Sequence, residues 1–184
     1  MNNIILIGFM GCGKSTVGIR LSYKLRRVLT DTDKYIEKKE GMSISELFAA
    51  KGEAYFRQQE TACLEALLSE NTEQIISTGG GLPMREENRE LLKKLGCVVY
   101  LQISPSNIYE RLKGDTTRPL LQCEDPLGRI EELLSKRKEK YETCAELTVN
   151  VDGKDMEQVV SEIIIGLREK GYITGGEDNE DSGN

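Results

Sequence analysis

Glycines, a lysine and a hydroxyl stand at phosphate-binding spacing near the start of the chain: Gly8-Phe9-Met10-Gly11-Cys12-Gly13-Lys14-Ser15 fits G-x-x-x-x-G-K-[ST]. Glycines let backbone N–H groups curl around phosphate oxygens, and a helix that begins there adds the positive end of its dipole. In this motif Lys14 reaches the β- and γ-phosphates of a nucleotide and Ser15 can ligate Mg²⁺. Further on, Asp31-Thr32-Asp33 puts two carboxylates at i and i+2, pointing the same way from a strand end. Beside a phosphate loop, one can approach Mg²⁺ directly or through water, and the other can take a proton from an acceptor hydroxyl. Aspartate is equally suited to cap a helix starting near Lys34, so residue types alone leave capping and chemistry level.

Three more segments have types that suit an anionic site. Ser77-Thr78-Gly79-Gly80-Gly81 ends an apolar run, and reads either as a flexible turn or as a surface where backbone N–H groups meet a polar ligand at close range. The second reading is favoured where the run faces the phosphate loop. Arg57 stands early in a helical pattern, where a cation opposes the helix dipole and an anionic partner would suit it. The polar stretch from Lys113 to Gln122 follows Arg111 and breaks helical periodicity. It is lid-like and would deliver Arg118 to a transferring group, or it is an ordinary loop with a solvated arginine. Arg137 and Tyr141 lie one helical turn apart. The arginine fork could bind a carboxylate, although Lys136, Lys138 and Lys140 around it favour a solvated face. The chain has no histidine, so acid–base work falls to carboxylates, lysine or water.

These residues must be positioned by regular elements. Apolar, strand-like runs cover residues 3–7, 28–31, 74–78, 98–102 and 147–151. Helical patterns lie near 14–26, 33–40, 43–50, 53–70, 84–95, 105–113, 126–145 and 155–170, with no internal repeat. The alternation predicts a doubly wound α/β domain with a parallel sheet, whose ligands sit at the carboxyl ends of the strands.

Composition narrows the function classes. The chain has 184 residues, 38% hydrophobic and 30% charged, enough for one domain with a real core. Its apolar runs are far too short to span a bilayer, and no basic-apolar-small leader is evident. Net charge is −6, and four of the carboxylates (Glu177, Asp178, Glu180, Asp181) crowd into the end of the chain, leaving a body of −2. A near-neutral body argues against broad nucleic-acid binding. The acidic end, residues 173–184, reads as disordered. Five cysteines, an odd number with no C-x-x-C spacing, argue against a disulfide framework or zinc site and for a reducing cytoplasm. Cys12 is either a thiol activated by the helix start or merely a small residue.

Taken together, the chain resembles the shikimate kinases, P-loop kinases related in architecture to the nucleoside monophosphate kinases. The resemblance runs from Asn3 to about Lys170. It rests on the loop from Gly8 to Gly18, on Asp31-Thr32-Asp33, Phe56-Arg57, Thr78-Gly79-Gly80-Gly81 and Arg118-Pro119-Leu120-Leu121, and on Arg137 with Tyr141. It implies a three-layer P-loop NTPase fold with about five parallel strands, a single domain over residues 1–172, substrate-binding helices near 32–60 and a lid near 113–124. It implies transfer of the ATP γ-phosphate to the 3-hydroxyl of shikimate in a cytoplasmic monomer, with neither nucleic acid nor membrane as partner. Asp33, Lys14 and Arg118 would be catalytic. ATP would lie on Gly11, Cys12, Gly13, Lys14, Ser15 and Thr16, with Arg111 against adenine and Arg118 on the phosphates. Shikimate would lie on Asp33, Arg57, Gly79, Gly80, Gly81 and Arg137, and Mg²⁺ on Ser15 and Asp31, the latter directly or through water.

The chain departs from the family in three places. Arg26-Arg27 replaces the glycine that often ends the first helix, leaving its C-cap open. The adenine-side loop reads Asp152-Gly153-Lys154-Asp155 where the family usually has a proline, and Cys12 replaces a small Ala or Ser. Two other readings compete: a kinase for a different small acceptor, such as gluconate or a nucleoside monophosphate, and a non-catalytic nucleotide-binding module.

Overall fold

The computed structural model describes residues 2–70, 72–115 and 123–174. Among these residues five parallel strands form one sheet in the order β2-β3-β1-β4-β5. They are β1 (Asn3–Ile7), β2 (Val28–Asp31), β3 (Gln74–Ser77), β4 (Gly96–Gln102) and β5 (Leu147–Asn150). Every residue of β1 and β3 is buried, as expected of inner parallel strands covered on both faces. Edge strand β2 is more open, with Val28 71% exposed.

The helices are α1 (Lys14–Leu25), α2 (Thr32–Glu40), α3 (Ile44–Ser69), α4 (Glu86–Leu95), α5 (Pro105–Leu112), α6 (Pro126–Cys144) and α7 (Met156–Glu169). α1 and α7 pack together on one side of the sheet, and α3, α4 and α6 pack on the other. This is the predicted three-layer P-loop NTPase fold. Among the described residues no helix is long and apolar enough to cross a membrane.

Small differences from the sequence reading have local causes. β4 begins at Gly96, not Val98, because Asn3 and Ile4 of β1 extend the ladder to Gly96 and Cys97. The buried Asn3 side chain ties this corner together: it accepts from the Gln74 N–H at 2.9 Å and donates to the Leu95 carbonyl at 2.9 Å. A 3₁₀ turn over Leu82–Met84 precedes α4, so that helix starts two residues later than its periodicity suggests. The two helical patterns expected on either side of Gly52 are joined as α3, with Gly52 at φ 81° and ψ 170° as the kink. A side chain there would be strained.

The open question at the end of α1 is answered by Arg26 itself. It adopts the left-handed conformation (φ 52°, ψ 40°), and its N–H bonds to the Ser22 carbonyl. Glycine does this freely, while a side chain costs about 1 kcal/mol. The cysteines Cys12, Cys63, Cys97, Cys123 and Cys144 are free thiols. Most of the predicted lid, including Arg118, and residues 175–184 of the acidic end lie outside the described residues. Tyr172 and Ile173 still pack against the core.

Candidate active site

The carboxyl ends of β1, β2 and β3 open onto a cavity of about 470 Å³. Its walls include Gly11, Gly13, Lys14, Ser15 and Thr16 from the phosphate loop, Asp31 and Asp33 from the start of α2, Gly79 and Gly80 after β3, and Arg111 from α5. Gly13 stands at φ 99° as the N-cap of α1, a left-handed turn that aims the first helical N–H groups at the cavity. The Lys14 ammonium donates to the carbonyls of Gly8 at 2.8 Å and Phe9 at 3.1 Å. Arg111 donates to the Gly11 carbonyl at 3.0 Å, so α5 braces the loop from outside. Cys12, like Phe9, turns away: it is 1% exposed and outside the cavity wall.

The two aspartates divide the roles that their types left level. Asp31 is the cap. Its Oδ1 accepts from the N–H groups of Asp33 at 3.0 Å and Lys34 at 3.1 Å, and α2 begins at Thr32, earlier than expected. Asp31 nevertheless lines the cavity. Asp33 is largely buried, and its Oδ1 has no hydrogen-bond partner among the described residues. Burial holds its carboxyl above the usual range, the Asp31 charge adds to this, and Lys14 opposes it.

The glycine triplet is a close-approach surface. A Cβ on Gly79 would stand 2.7 Å from Asp33 Oδ1 and 3.3 Å from Glu60 Oε1, and one on Gly81 would stand 2.6 Å from the Arg57 guanidinium. At Gly80 it would meet the Gly8 carbonyl at 3.3 Å, with Arg137 at 3.9 Å. The triplet thus joins the phosphate loop to Asp33, Arg57 and Arg137. Arg137 is no solvated charge. It is partly buried and lies over the Phe9 ring, 5.4 Å from its centroid, while Lys136, Lys138 and Lys140 are exposed.

Arg57 finds anionic partners inside the protein, Glu60 Oε2 at 2.9 Å and Glu53 Oε1 at 3.0 Å. Glu60 itself was missed by sequence reasoning. It sits on the buried stripe of α3 with Phe56, Cys63, Leu64 and Leu67, and is 1% exposed. A carboxylate on an apolar helix stripe was the available signal. Its Oε1, like Asp33 Oδ1, has no partner among the described residues. Burial raises its pKa to about 7 against the pull of Arg57, and the Asp33 charge contributes.

Family comparison decides between the readings left open by the sequence. The sequence model of the shikimate kinase family matches residues 10–168. The chain belongs to the shikimate kinase family. A shikimate kinase from Sulfurihydrogenibium sp. is 44% identical over 170 residues, covering 92% of this chain and all of the relative. One from Thermodesulfovibrio yellowstonii is 46% identical over 164 residues, covering 89% of this chain and 94% of the relative. Among solved structures, shikimate kinase from Acinetobacter baumannii in complex with shikimate superposes with a TM-score of 0.85 at 36% identity, covering 92% of this chain and 94% of that one. As a shikimate kinase family member the chain is an ATP-dependent kinase, a transferase.

Proposed function

We propose that this enzyme transfers the γ-phosphate of ATP to the 3-hydroxyl of shikimate, giving shikimate 3-phosphate and ADP, a step in aromatic amino-acid biosynthesis. One observation carries the reading to the acceptor. Two buried carboxylate oxygens without partners among the described residues, Asp33 Oδ1 and Glu60 Oε1, converge over Gly79. Two arginines, Arg57 and Arg137, stand against the same glycine triplet. Carboxylate oxygens suit hydroxyl donors, and paired arginine forks suit a carboxylate. An acceptor with both groups fits that arrangement, in which Asp33, Gly79 and Gly80 line the cavity and Arg57, Glu60 and Arg137 stand against the glycine triplet beside it.

In this reading Asp33 orients the acceptor hydroxyl and takes its proton as the hydroxyl oxygen bonds to the γ-phosphorus. The bond from phosphorus to the β-phosphate oxygen breaks, and ADP leaves. The raised pKa of Asp33 suits it to the role, since a base works best with a pKa near the operating pH. Lys14 exchanges the carbonyls of Gly8 and Phe9 for phosphate oxygens. Arg137 and Arg57 hold the acceptor carboxylate, and Gly79, Gly80 and Gly81 line the acceptor. Gly11, Cys12, Gly13, Ser15 and Thr16 hold phosphates through their backbone or hydroxyls, and Arg111 lies against the base. Arg118 on the phosphates rests on family resemblance, as it lies outside the described residues. Positioning and electrostatics supply most of the rate in such transfers.

The site suits Mg²⁺ carried in with ATP. Its donors are oxygens: the Ser15 hydroxyl and Asp31, whose cap uses only Oδ1. Among the described residues no three His, Cys, Asp or Glu side chains gather to hold a metal unaided. Mg²⁺ commonly takes one or two protein oxygens and completes its shell with phosphates and water. When bound it neutralises charge on the β- and γ-phosphates. We place the enzyme in the cytoplasm as a monomer acting on two small molecules, its cysteines being free and its near-neutral body ill suited to nucleic acid.

The test is a coupled assay of ADP release from the purified enzyme with Mg²⁺-ATP and shikimate, gluconate, a nucleoside monophosphate or no acceptor. Strong release with shikimate alone is expected. Equal or greater release with another acceptor would replace shikimate, and no release above background with any acceptor would favour the non-catalytic module.

A further inference from the structure

The end of the molecule opposite the active site holds a second, larger cavity of about 970 Å³. α1 and α7 both start beside the active-site cavity, with Lys14 and Met156 in its wall, and their far ends enclose this groove. Its wall has an apolar part, including Leu25, Ile164 and the half-exposed Ile165, and a basic part of Lys24, Arg26, Arg27 and Arg168. Among the described residues Glu73 is the one carboxylate in the wall, and Arg27 holds it at 2.7 Å. Lys24 is paired with Glu157 at 3.0 Å. Arg26 and Arg168 have no ion-pair partner among the described residues. Arg26 also occupies a left-handed position (φ 52°) that a glycine would fill at lower cost, so its side chain is kept against a local penalty. The groove therefore offers two guanidinium groups unpaired among the described residues, beside an apolar floor, and an acidic partner suits it.

The chain carries such a partner. Thr174 is itself part of the groove wall. The residues that follow include Glu177, Asp178, Glu180 and Asp181, with no basic residue among them. We propose that this acidic segment, residues 177–181, docks in the groove of its own chain, with carboxylates on Arg26 and Arg168. The segment is tethered two residues from the groove wall, and the seven residues from 175 to 181 reach about 23–25 Å when extended. That exceeds the roughly 18 Å length of a twelve-residue helix such as α1. Tethering gives the carboxylates a millimolar-scale effective concentration, so contacts too weak to hold a free peptide suffice. The interaction is one of exposed charges and is therefore screened by salt.

The test compares backbone amide spectra of the full chain with those of a full-length variant carrying Glu177→Gln, Asp178→Asn, Glu180→Gln and Asp181→Asn. At about 0.02 M salt, where screening is weak, the amides of residues 24–27 and those around Arg168 shift between the two proteins. At about 0.5 M salt the difference collapses. A second variant, Arg26→Gln with Arg168→Gln, gives tail amide positions that no longer respond to salt, and tenfold dilution changes none of this. Shifts confined to the substituted segment and its immediate neighbours would overturn the docking. Groove shifts that fade on dilution would assign the groove to the tail of a second copy and overturn the intramolecular assignment.

Discussion

The hydroxyl of Tyr141 donates to the carbonyl oxygen of Gly80 at 2.6 Å. Tyr141 is fully buried and stacked on Tyr100, with ring centroids 5.1 Å apart. One helical turn earlier, α6 carries Arg137, which lies over Phe9 of the phosphate loop. A single helix thus fixes the middle glycine of the triplet and sets a guanidinium between that triplet and the phosphate loop.

Tyr141→Phe tests this directly, because phenylalanine keeps the ring stack and loses only the hydroxyl, with its bond to Gly80 and its contact with Arg137. A net hydrogen bond of about 0.5–1.5 kcal/mol corresponds to a roughly 2–10-fold change. The expected result is a rise of that size in the KM for shikimate, with the KM for ATP unchanged. Equal rises in both constants would show a general loosening instead.

Asp33→Asn removes the proposed base and keeps its shape. Turnover should fall by at least ~100-fold, the scale of lost acid–base catalysis, while ATP binding measured by titration stays near that of the parent. Near-normal turnover would end the base assignment.

Arg137→Ala removes one arm of the proposed carboxylate clamp. A charge-assisted bond of ~1.5–3 kcal/mol corresponds to a roughly 10–150-fold rise in the shikimate KM. Substrates without a carboxylate should be insensitive to the change, and an unchanged shikimate KM would take Arg137 out of the site.

Much of this arrangement was legible in the sequence, for reasons specific to each residue. The phosphate loop could be read because glycine, lysine and serine at fixed spacing serve one geometry, and the apolar run of β1 before it is continuous. Asp31 could not be divided between capping and chemistry, because one oxygen caps α2 while the residue still faces the cavity. Glu60 was invisible because its meaning depends on Asp33 and Gly79, from two other segments, reaching the same point. Arg57 was read as a dipole mismatch because its neutralising partners, Glu53 and Glu60, become neighbours only once the helical turn is formed.

Gly79→Ala probes the convergence. The added methyl would stand 2.7 Å from Asp33 Oδ1, closer than real side chains approach, so the carboxylate must move. Displacement of a reacting group by about 1 Å can cost ~100-fold in rate. The expected outcome is a fall in kcat of about that size, with thermal stability and ATP affinity nearly unchanged. Full activity would show that Asp33 has freedom to relocate and that the tight approach has no catalytic consequence.

Glu60 gives the ligand-free enzyme a distinctive pH dependence. Its carboxyl is raised from the ordinary 4.5 to about 7, by burial first and foremost, so the folded state holds the proton more tightly than the unfolded chain does. The sign follows: its contribution to stability is full below about 4.5 and is lost as pH rises to about 7. With each pKa unit equal to about 1.4 kcal/mol, the excursion is about 3 kcal/mol. Asp33 is also raised and adds a slope of the same sign. The lowered carboxyls, Glu40, Glu46 and Glu132, are exerting their opposite effect only at and below the ordinary carboxylate range. Urea unfolding midpoints of the parent enzyme should therefore fall between pH 5 and pH 7.5, a range that brackets most of the window set by Glu60. Glu60→Gln, which imitates the protonated carboxyl, should flatten most of that slope whatever it does to absolute stability. Parallel slopes in parent and variant would show that Glu60 is ionised across the range and held by Arg57 alone.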